Sequence, residues 1–292
     1  RLDRITPETI EAMCDELATT RSGKTVHNIY IRTKQILNHA VRDKLIPINP
    51  ALAAIPPRYE PADTIILQPG QPAAAIHAAH DPKPRKRDTL HDDQDDHDMW
   101  ALMFDLAFAT GMRQAERFAI TPSELVTRDG IHGIEVRWQL QQLKPDATIP
   151  GWLQARHITG NFWLIPPKTR QGIRFIPLDT RTWLRLLELA NKHQCAPDDL
   201  IFTRHGQPLT GNVERRRWQR ALQDAGLPPV TMRAARHFFS THLAQTGAPE
   251  DARKAIMGHA KITTTARYTH WTPETLAALA DEAREAIGVG NE

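Results

Sequence analysis

The sequence predicts a mainly α-helical protein that also contains a small antiparallel β-sheet. Segments with apolar residues at three- and four-residue spacing recur along most of the 292 residues, as in amphipathic helices. Two central segments, 131–142 and 161–178, instead alternate in hydrophobicity as strands do, with turn residues at 170–172. Prolines concentrate between residues 46 and 72, where we expect an extended linker between two domains.

The first domain is predicted to contain two helices. One covers 6–20, with Thr6 as its N-cap and Pro7 in its first turn. The other covers 25–43, and its predicted apolar face consists of Val26, Ile29, Tyr30, Thr33, Ile36, Leu37, Ala40 and Val41. The opposite face carries Asn28, Arg32, Lys34, Gln35 and Arg42. Such a basic face is usually solvated, and contact with nucleic-acid phosphates is the alternative interpretation.

The proline-rich segment sets the domain limits. We assign residues 1–58 to the first domain, 59–68 to the linker and 69–292 to the second domain. Residues 82–98, PKPRKRDTLHDDQDDHD, switch from basic to acidic and predict a surface loop or hairpin insertion. The spacing of their His and Asp residues matches no defined metal site, so we expect no metal there.

The second domain is predicted to be rich in helices. It is expected to begin with a helix near 68–80 and an apolar helix over 99–111 that ends at Gly111. The other predicted helices are 180–193, 211–225, 233–246, 249–257 and 273–287. The last has Thr272 as its cap and Gly288 just past its end.

Net charge and cysteine content limit the possible partners and the cellular compartment of the protein only partly. The net charge is +3 and the pI is near 9.0, but basic clusters such as ERRRWQR (214–220) keep DNA among the candidate partners. Cys14 and Cys195 form no metal or disulfide pattern, which suits a reducing cytoplasm. No apolar run approaches the length of a membrane span. The composition therefore predicts a cytoplasmic protein.

Four stretches concentrate residues that suit phosphoryl-transfer chemistry. They are ATGMRQAE (109–116), PPKTRQGIRFIPL (166–178), RAARHFFSTHL (233–243) and MGHAKITTTARYTH (257–270). Their notable ionisable residues are Arg113, Glu116, Lys168, Arg233, Arg236, His237, His259 and Tyr268. Each of these taken alone is more often a surface ion-pair partner, a solvated lysine or a helix cap.

Together these side chains can act on a phosphodiester. Two arginines supply permanently charged forks that hold the oxygens of a pentacoordinate phosphorus without a metal. A phenol with a pKa of about 10 becomes a nucleophile when cations favour its anion. A lysine whose pKa is lowered by neighbouring cations can protonate a leaving oxygen. Glu116, on the helix of Arg113, can orient that guanidinium.

The order and spacing of these stretches resemble the tyrosine recombinase (phage integrase) family. TGMRQAE resembles the first arginine box of the family, PPKTRQGIRFIPL its lysine hairpin, RAARHFFSTHLAQTG its second arginine box and MGHAKITTTARYTH its tyrosine box. His259 lies 23 positions after Arg236, and Tyr268 follows nine positions later, as in the family. Residues 22–51 resemble the end of the family's helical core-binding domain, whose earlier helices we expect upstream of Arg1.

The resemblance implies a tyrosine recombinase catalytic domain over 69–292, preceded by part of a core-binding domain over 1–58. It implies that Tyr268 attacks duplex DNA and forms a 3′-phosphotyrosyl link. Arg113, Arg236 and His259 would hold the phosphate, Glu116 would orient Arg113, and Lys168 would protonate the leaving 5′ oxygen. The residues expected to contact DNA are Arg32, Lys34, Arg42, Thr169, Arg170, Arg215, Arg216 and Arg217.

The resemblance also implies the partners. We expect no metal or other cofactor, no membrane, and a homotetramer on two DNA recombination sites, with a monomer in the absence of DNA. The apolar face of the last helix consists of Leu276, Leu279, Ala280, Ala283 and Ile287. Family precedent favours docking of this helix onto a neighbouring protomer, and packing within its own chain is the alternative.

One position departs from the family pattern. The family usually carries His three residues before its second arginine, where this chain has Arg233. An arginine stays protonated and cannot act as a general base, although it can still hold a phosphate oxygen. His237 and His270 are alternative bases on spacing, but we expect His237 to pack structurally.

Three rival functions remain open at this stage. A type IB topoisomerase shares the chemistry, and the core-binding-like N-terminal segment argues against it. A DNA-binding protein that has lost strand exchange through Arg233 is the second rival. A metal-dependent nuclease that uses HDDQDDHD (91–98) is the third, and no other feature supports it.

Overall fold

The chain forms two compact units, Arg1–Thr64 and Ile65–Glu292. The structure is a computed structural model that describes residues 1–60, 65, 67–85, 90, 92–258 and 271–288. Helices predominate, and the strands form small antiparallel sheets. The predicted fold class is therefore confirmed.

The first unit is built on two capped helices. Helix α1 spans Pro7–Ala18, and its N-cap Thr6 accepts a hydrogen bond from the backbone N–H of Thr9. Helix α2 spans Gly23–Arg42, and Ser22 caps it in the same way. The core that they share consists of Ile10, Cys14, Val26, Tyr30, Leu37, Ala40, Ile46, Ala51 and Ala54.

Part of the predicted linker belongs to this core. Ile46, Ala51 and Ala54 are buried, and the Tyr30 hydroxyl donates a 2.9 Å hydrogen bond to the Ala51 carbonyl. The extended linker predicted from residue 46 onward is therefore wrong at its start, because the small residues between the prolines pack under α2. The predicted apolar face of α2 is too wide as well, since Ile36 is 65% exposed.

The second unit surrounds an apolar helix. Helix α3 spans Gln71–His80 and packs beside α4, which spans Gln94–Thr110 and is buried along most of its length. A helix that is apolar on all sides needs neighbours on all sides. The aromatic core around it contains Trp100, Phe104, Phe108, Trp218 and Phe238.

Helix α4 begins five residues before the predicted start at Met99. Asp93 is its N-cap and accepts a 2.9 Å hydrogen bond from the Asp96 backbone N–H. Carboxylates are favoured at a helix N-terminus, where the helix dipole is positive. The acidic end of residues 82–98 is therefore a helix start, and the predicted loop or hairpin insertion is wrong for residues 94–98.

Two small sheets follow a short helix, α5 (Gln114–Arg117), which is too short to show a sequence period. In the first sheet, β2 (Ile131–Val136) pairs with β1 (Leu125–Arg128) and with β6 (Arg174–Pro177). In the second sheet, β5 (Phe162–Ile165) pairs with β3 (Gln139–Gln142) and with β4 (Arg156–Thr159). Residues 137–163, which had no predicted role, thus contribute most of the strand residues of this second sheet.

The remaining helices are close to prediction. They are α6 (Thr180–Lys192), α7 (Gly211–Asp224), α8 (Arg233–Gln245), α9 (Glu250–Met257) and α10 (Pro273–Glu285). Between α6 and α7 lies a two-stranded hairpin of β7 (Thr203–Arg204) and β8 (Gln207–Pro208). The hairpin was not predicted, because two-residue strands carry no alternation. Helix α10 has Thr272 as its N-cap, as predicted.

Helix α10 packs on its own chain. Leu276, Ala280 and Ala283 are buried in a cluster with Phe239 and Leu243 of α8. The single chain therefore shows the alternative interpretation, and docking of α10 onto a neighbouring protomer stays a prediction. Alanines on the buried face let α10 approach α8 closely, which favours packing within the chain.

Two leucines on α6 test the packing. Leu186 is fully buried and Leu184 is 56% exposed, so the same substitution samples the core and the surface of one helix. We expect Leu186→Ala to lower the free energy of unfolding by about 3–5 kcal/mol, because it leaves a cavity. Leu184→Ala should change it by less than about 0.5 kcal/mol. Urea unfolding measures both, and equal losses would contradict the described packing.

Candidate active site

The first predicted arginine lies where α4 ends and α5 begins. Gly111 ends α4 with φ of 60°, and Arg113 follows as the N-cap residue of α5. The Arg113 backbone N–H donates to Glu116 Oε2 at 2.9 Å, and its Nη1 donates to Glu116 Oε1 at 2.8 Å. Glu116 therefore orients both the backbone and the guanidinium of Arg113, as the sequence predicted, while the Arg113 side chain stays 41% exposed.

A second arginine, Arg174 on β6, holds the same carboxylate. Its Nη2 donates to Glu116 Oε2 at 2.9 Å and its Nη1 to Glu116 Oε1 at 3.2 Å. The Arg174 side chain is only 5% exposed. Arg174 was not among the predicted site residues, although an arginine at the start of the otherwise apolar strand RFIP signals that a buried partner must be present.

The second predicted arginine, Arg236 on α8, bonds to two backbone carbonyls. Its Nη1 donates to the Gly111 carbonyl at 2.7 Å and its Nη2 to the Met257 carbonyl at 2.6 Å. Burial, and then the charges of Arg113 and Arg174, lower the pKa of Arg236 to about 10. It therefore remains charged at neutral pH.

The end of α9 brings these arginines together. Three consecutive carbonyls, those of Ile256, Met257 and Gly258, accept hydrogen bonds from Arg174, Arg236 and Arg113 respectively. A helix leaves its last carbonyls without intrahelical partners, and its C-terminus carries a partial negative charge. Guanidinium groups satisfy both requirements, so the end of α9 fixes the cluster. We call Arg113, Glu116, Arg174 and Arg236 the arginine cluster.

The arginine cluster carries more positive than negative charge. Burial would raise the pKa of Glu116, but Arg174 and then Arg113 outweigh burial and lower this pKa to about 2. The carboxylate is therefore ionised at neutral pH and offsets one of the three guanidinium charges. The remaining positive charge suits the binding of an anion such as a phosphodiester.

The predicted lysine lies outside these contacts. Lys168 and Thr169 are exposed, just before a short 3-10 helix at Arg170–Gly172. The Gly172 carbonyl accepts a 3.1 Å hydrogen bond from Arg174 Nη1, so the C-terminal end of this turn is bonded to the arginine cluster. Lys168 makes no hydrogen bond or ion pair with the residues that the structure describes.

Other predicted site residues have mixed outcomes. Arg233 lies exposed at the start of α8, and its charge contributes to the lowered pKa of Arg236. His237 is also exposed, so the expectation that it packs structurally is wrong. His259 and Tyr268, and the alternative base His270, lie outside the described residues.

The predicted DNA contacts of the first unit lie on the polar side of α2. Arg32 and Arg42 are exposed, and Lys34 is half-buried. Arg32 Nη1 donates to Gln35 at 2.9 Å, and Arg42 pairs with Asp43 at 3.2 Å. Ion pairs this exposed contribute little to stability.

The predicted DNA contacts on α7 separate into two groups. Arg215 and Arg216 are exposed. Arg217 is buried, and its Nε donates to Asp92 Oδ2 at 2.8 Å. The prediction that Arg217 contacts DNA is therefore wrong, because its charge is neutralised inside the protein. Periodicity places residues on a face of a helix but does not reveal which face is covered.

The acidic stretch 91–98 contains Asp92, the partner of Arg217, and further residues that form ion pairs. Asp92 also pairs with Arg204 at 3.0 Å, Asp96 pairs with Arg204 at 3.4 Å, and Asp95 pairs with Lys192. Within the described ranges, no group of three or more His, Cys, Asp or Glu residues is placed to hold a metal ion. His91 lies outside those ranges.

The described residues include no helix with the length and hydrophobicity of a membrane span.

Comparison with known proteins shows the family of this chain. The model of the Phage integrase family matches residues 88–275, which is more than half of the chain. The chain belongs to the phage integrase family. This integrase-family chain is 32% identical over 119 residues to tyrosine recombinase XerC 2 of Ralstonia nicotianae, a match that covers 39% of the chain and 34% of that relative. It is 48% identical over 48 residues to tyrosine recombinase XerD of Bifidobacterium longum, covering 16% of each protein.

Solved structures share the fold over a longer range. The Tn1549 transposon integrase in complex with transposon right end DNA is 21% identical, with a TM-score of 0.68 over 96% of this chain and 86% of that one. A lambda integrase dimer bound to a COC′ core site is 16% identical, with a TM-score of 0.58 over 93% of this chain and 84% of that one. XerH bound to palindromic difH substrate, in a post-cleavage complex, has a TM-score of 0.62 at 15% identity, over 90% of this chain and 68% of that one.

The low pKa of Glu116 predicts a dependence of stability on pH. Its folded value of about 2 lies below the ordinary 4.5, so this carboxylate stabilises the fold above pH 4.5 and the contribution is lost as the pH falls towards 2. We expect the difference in unfolding free energy between wild type and Glu116→Gln to shrink by about 3 kcal/mol over that range. Denaturant unfolding at several pH values measures this difference, and a pH-independent value would contradict the described ion pairs.

The burial of Arg217 predicts that alanine substitutions at Arg217 and at the exposed Arg215 differ in their effect on stability. Arg217→Ala should lower the free energy of unfolding by about 3 kcal/mol, because among the described ion pairs the buried Asp92 carboxylate then keeps only the one with Arg204. Arg215→Ala removes an exposed charge from the same helix and should cost less than about 0.5 kcal/mol. Thermal or urea unfolding compares them. A stable Arg217→Ala variant would return this residue to the set of candidate DNA contacts.

Proposed function

We propose that this integrase-family chain is a site-specific recombinase that cuts and rejoins duplex DNA through a 3′-phosphotyrosyl intermediate. The observation that carries the proposal is the joint anchoring of Arg113 and Arg236 on the end of α9, immediately before the segment with His259 and Tyr268. Two guanidinium groups fixed by one rigid element are suited to hold the oxygens of one phosphate.

In the proposed reaction, the Tyr268 oxygen forms a bond to the scissile phosphorus and the bond to the 5′ oxygen breaks. The phenol loses its proton to water, and the leaving 5′ oxygen receives one from Lys168. Arg113 and Arg236 stabilise the charge on the non-bridging oxygens, and His259 adds a donor. A 5′ hydroxyl of the partner strand then attacks the phosphotyrosine and releases Tyr268. The bond energy is retained, so the reaction needs no ATP, and we propose no metal or other cofactor.

The arginine geometry supports these roles. Arg113 uses Nη1 for Glu116 and one N–H of Nη2 for Gly258, and 41% of its side chain is exposed. Arg236 uses one N–H of each terminal nitrogen for backbone carbonyls. Each guanidinium therefore has further N–H groups to offer to a phosphate after its anchoring bonds are made.

The exposed positions of Arg32, Arg42, Thr169, Arg215 and Arg216 support DNA as the partner. We propose that Arg32, Lys34, Arg42, Thr169, Arg170, Arg215 and Arg216 contact DNA, mostly at phosphates, which position the protein without specifying sequence. The first unit would act as part of a core-binding domain and the second as the catalytic domain. Among the similar structures, a lambda integrase tetramer is bound to a Holliday junction, which supports a tetramer on two sites as the active assembly.

Arg233 favours a second candidate function, which is DNA binding with little or no strand exchange. Its exposed guanidinium stands three residues before Arg236, where it cannot accept the proton of a phenol. A third candidate, nicking and closing by a single protomer as in type IB topoisomerases, would relax supercoiled DNA without recombinant products.

A covalent-trapping assay tests the proposal. Nicked duplexes made from the DNA that flanks the gene are incubated with the protein, and a denaturation-resistant protein–DNA band is measured. We expect a band with wild type and none with Tyr268→Phe, because the phenol oxygen forms the covalent bond.

Two variants complete this assay. Lys168→Ala should slow band formation on a 5′-hydroxyl leaving group, since the proton donor is absent. Arg233→His separates the first two candidates: a band that forms only in this variant would favour the DNA-binding function for the natural chain. A band that persists in Tyr268→Phe would overturn the proposed nucleophile.

A further inference from the structure

Protein groups enclose the guanidinium of Arg174 and accept most of its hydrogen bonds. Its Nε donates to the Ile256 carbonyl at 2.7 Å, its Nη1 to the Gly172 carbonyl and to Glu116, and its Nη2 to Glu116. Four of its five N–H groups are thus used, and its side chain is 5% exposed. A group so enclosed is not placed to touch DNA.

The partners of Arg174 belong to three separate stretches of the sequence. Glu116 lies on α5 beside Arg113, Gly172 ends the turn that follows Lys168, and Ile256 lies in the last turn of α9. The planar guanidinium of Arg174 therefore fixes the relative positions of the first arginine box, the end of α9 and the turn Arg170–Gly172, which we call the lysine turn because it follows Lys168. A lysine has a single ammonium nitrogen and cannot span these partners in the same geometry.

We propose that Arg174 is a positioning residue for the reaction, which acts on Arg113 through Glu116 and on the lysine turn through Gly172. This inference rests on the proposed function for its effect on the reaction rate. The positional effect on Arg113 does not depend on DNA. Without Arg174, the Glu116 carboxylate would lose its bonds to β6 and keep those to Arg113, so β6 would no longer fix the position of the pair.

Surrounding packing makes the site sensitive to this residue. A Cβ placed on Gly258 would lie 3.0 Å from Arg174 Nη1, and one placed on Gly172 would lie 2.3 Å from the Pro167 side chain. The backbone at Gly258 and at Gly172 is therefore closely packed, which leaves little room for a shift that would restore the contacts of a shorter or differently shaped side chain.

Arg174→Lys is the test variant, and Arg185→Lys is the matched control. Arg185 pairs with the buried Asp105 at 3.3 Å and has no described contact with the arginine cluster. Both variants replace an arginine that pairs with a buried carboxylate, and thermal unfolding establishes that both are folded. The rate constant of covalent-band formation is measured at saturating protein on the nicked duplexes of the trapping assay.

We expect Arg174→Lys to lower this rate constant by about 100-fold, as for a displaced catalytic group, with the affinity for the duplex little changed. Arg185→Lys should react like wild type. The losses of Arg174→Lys and Arg113→Lys should not add in the double variant, because both act through the position of Arg113. Equal rates for Arg174→Lys and Arg185→Lys, or fully additive losses, would overturn the proposal.

A second readout separates this inference from the proposed function. In ¹⁵N-arginine-labelled protein without DNA, the Nε–H resonance of Arg113 is identified by its loss in Arg113→Lys. We expect this resonance to shift in Arg174→Lys and to stay in place in Arg185→Lys. If wild type forms no covalent band, the proposed function fails, and the Arg113 resonance alone tests the positioning role of Arg174. An unchanged Arg113 resonance in Arg174→Lys would overturn that role.

Discussion

The candidate active site depends on how one helix ends. The last carbonyls of α9 need donors, and Arg174, Arg236 and Arg113 supply them in consecutive order. These three arginines repel one another, and they are held together by the partial negative charge of the helix end and by Glu116. Because the arginines come from α5, β6 and α8, their contacts with α9 also fix how the elements of the second unit meet.

The same physical constraint explains the ionisation of the cluster. Glu116 is buried, and a buried carboxylate normally gains a proton. Two guanidinium groups at hydrogen-bonding distance reverse this tendency, so the carboxylate keeps its charge and can hold Arg113 in place. The ion pairs of Glu116 with Arg113 and Arg174 make the site rigid. The positive charge that remains on the arginine cluster suits the site to anions.

The sequence predicted elements with a clear period or a clear cap, and it failed where neither exists. Thr6 and Thr272 correctly marked helix starts, whereas α5 and the β7–β8 hairpin are too short to show a pattern. Arg113, Glu116 and Arg236 were identifiable from their spacing. Arg174 was missed and Arg217 was misassigned for the same reason, because burial of a charged residue depends on partners that are distant in sequence. The partner of Arg174 is Glu116, and the partner of Arg217 is Asp92.

The use of backbone acceptors at the end of α9 bears on how this sequence can diverge. Every residue type offers a carbonyl, so the bonds to the arginines survive exchanges of the buried Ile256 and Met257 for other apolar residues that preserve the helix path. Gly258 is different, because its φ of 64° and its closeness to Arg174 both disfavour a side chain. Across sequences of this fold, the identity of that one residue should therefore vary less than the identities of the two before it.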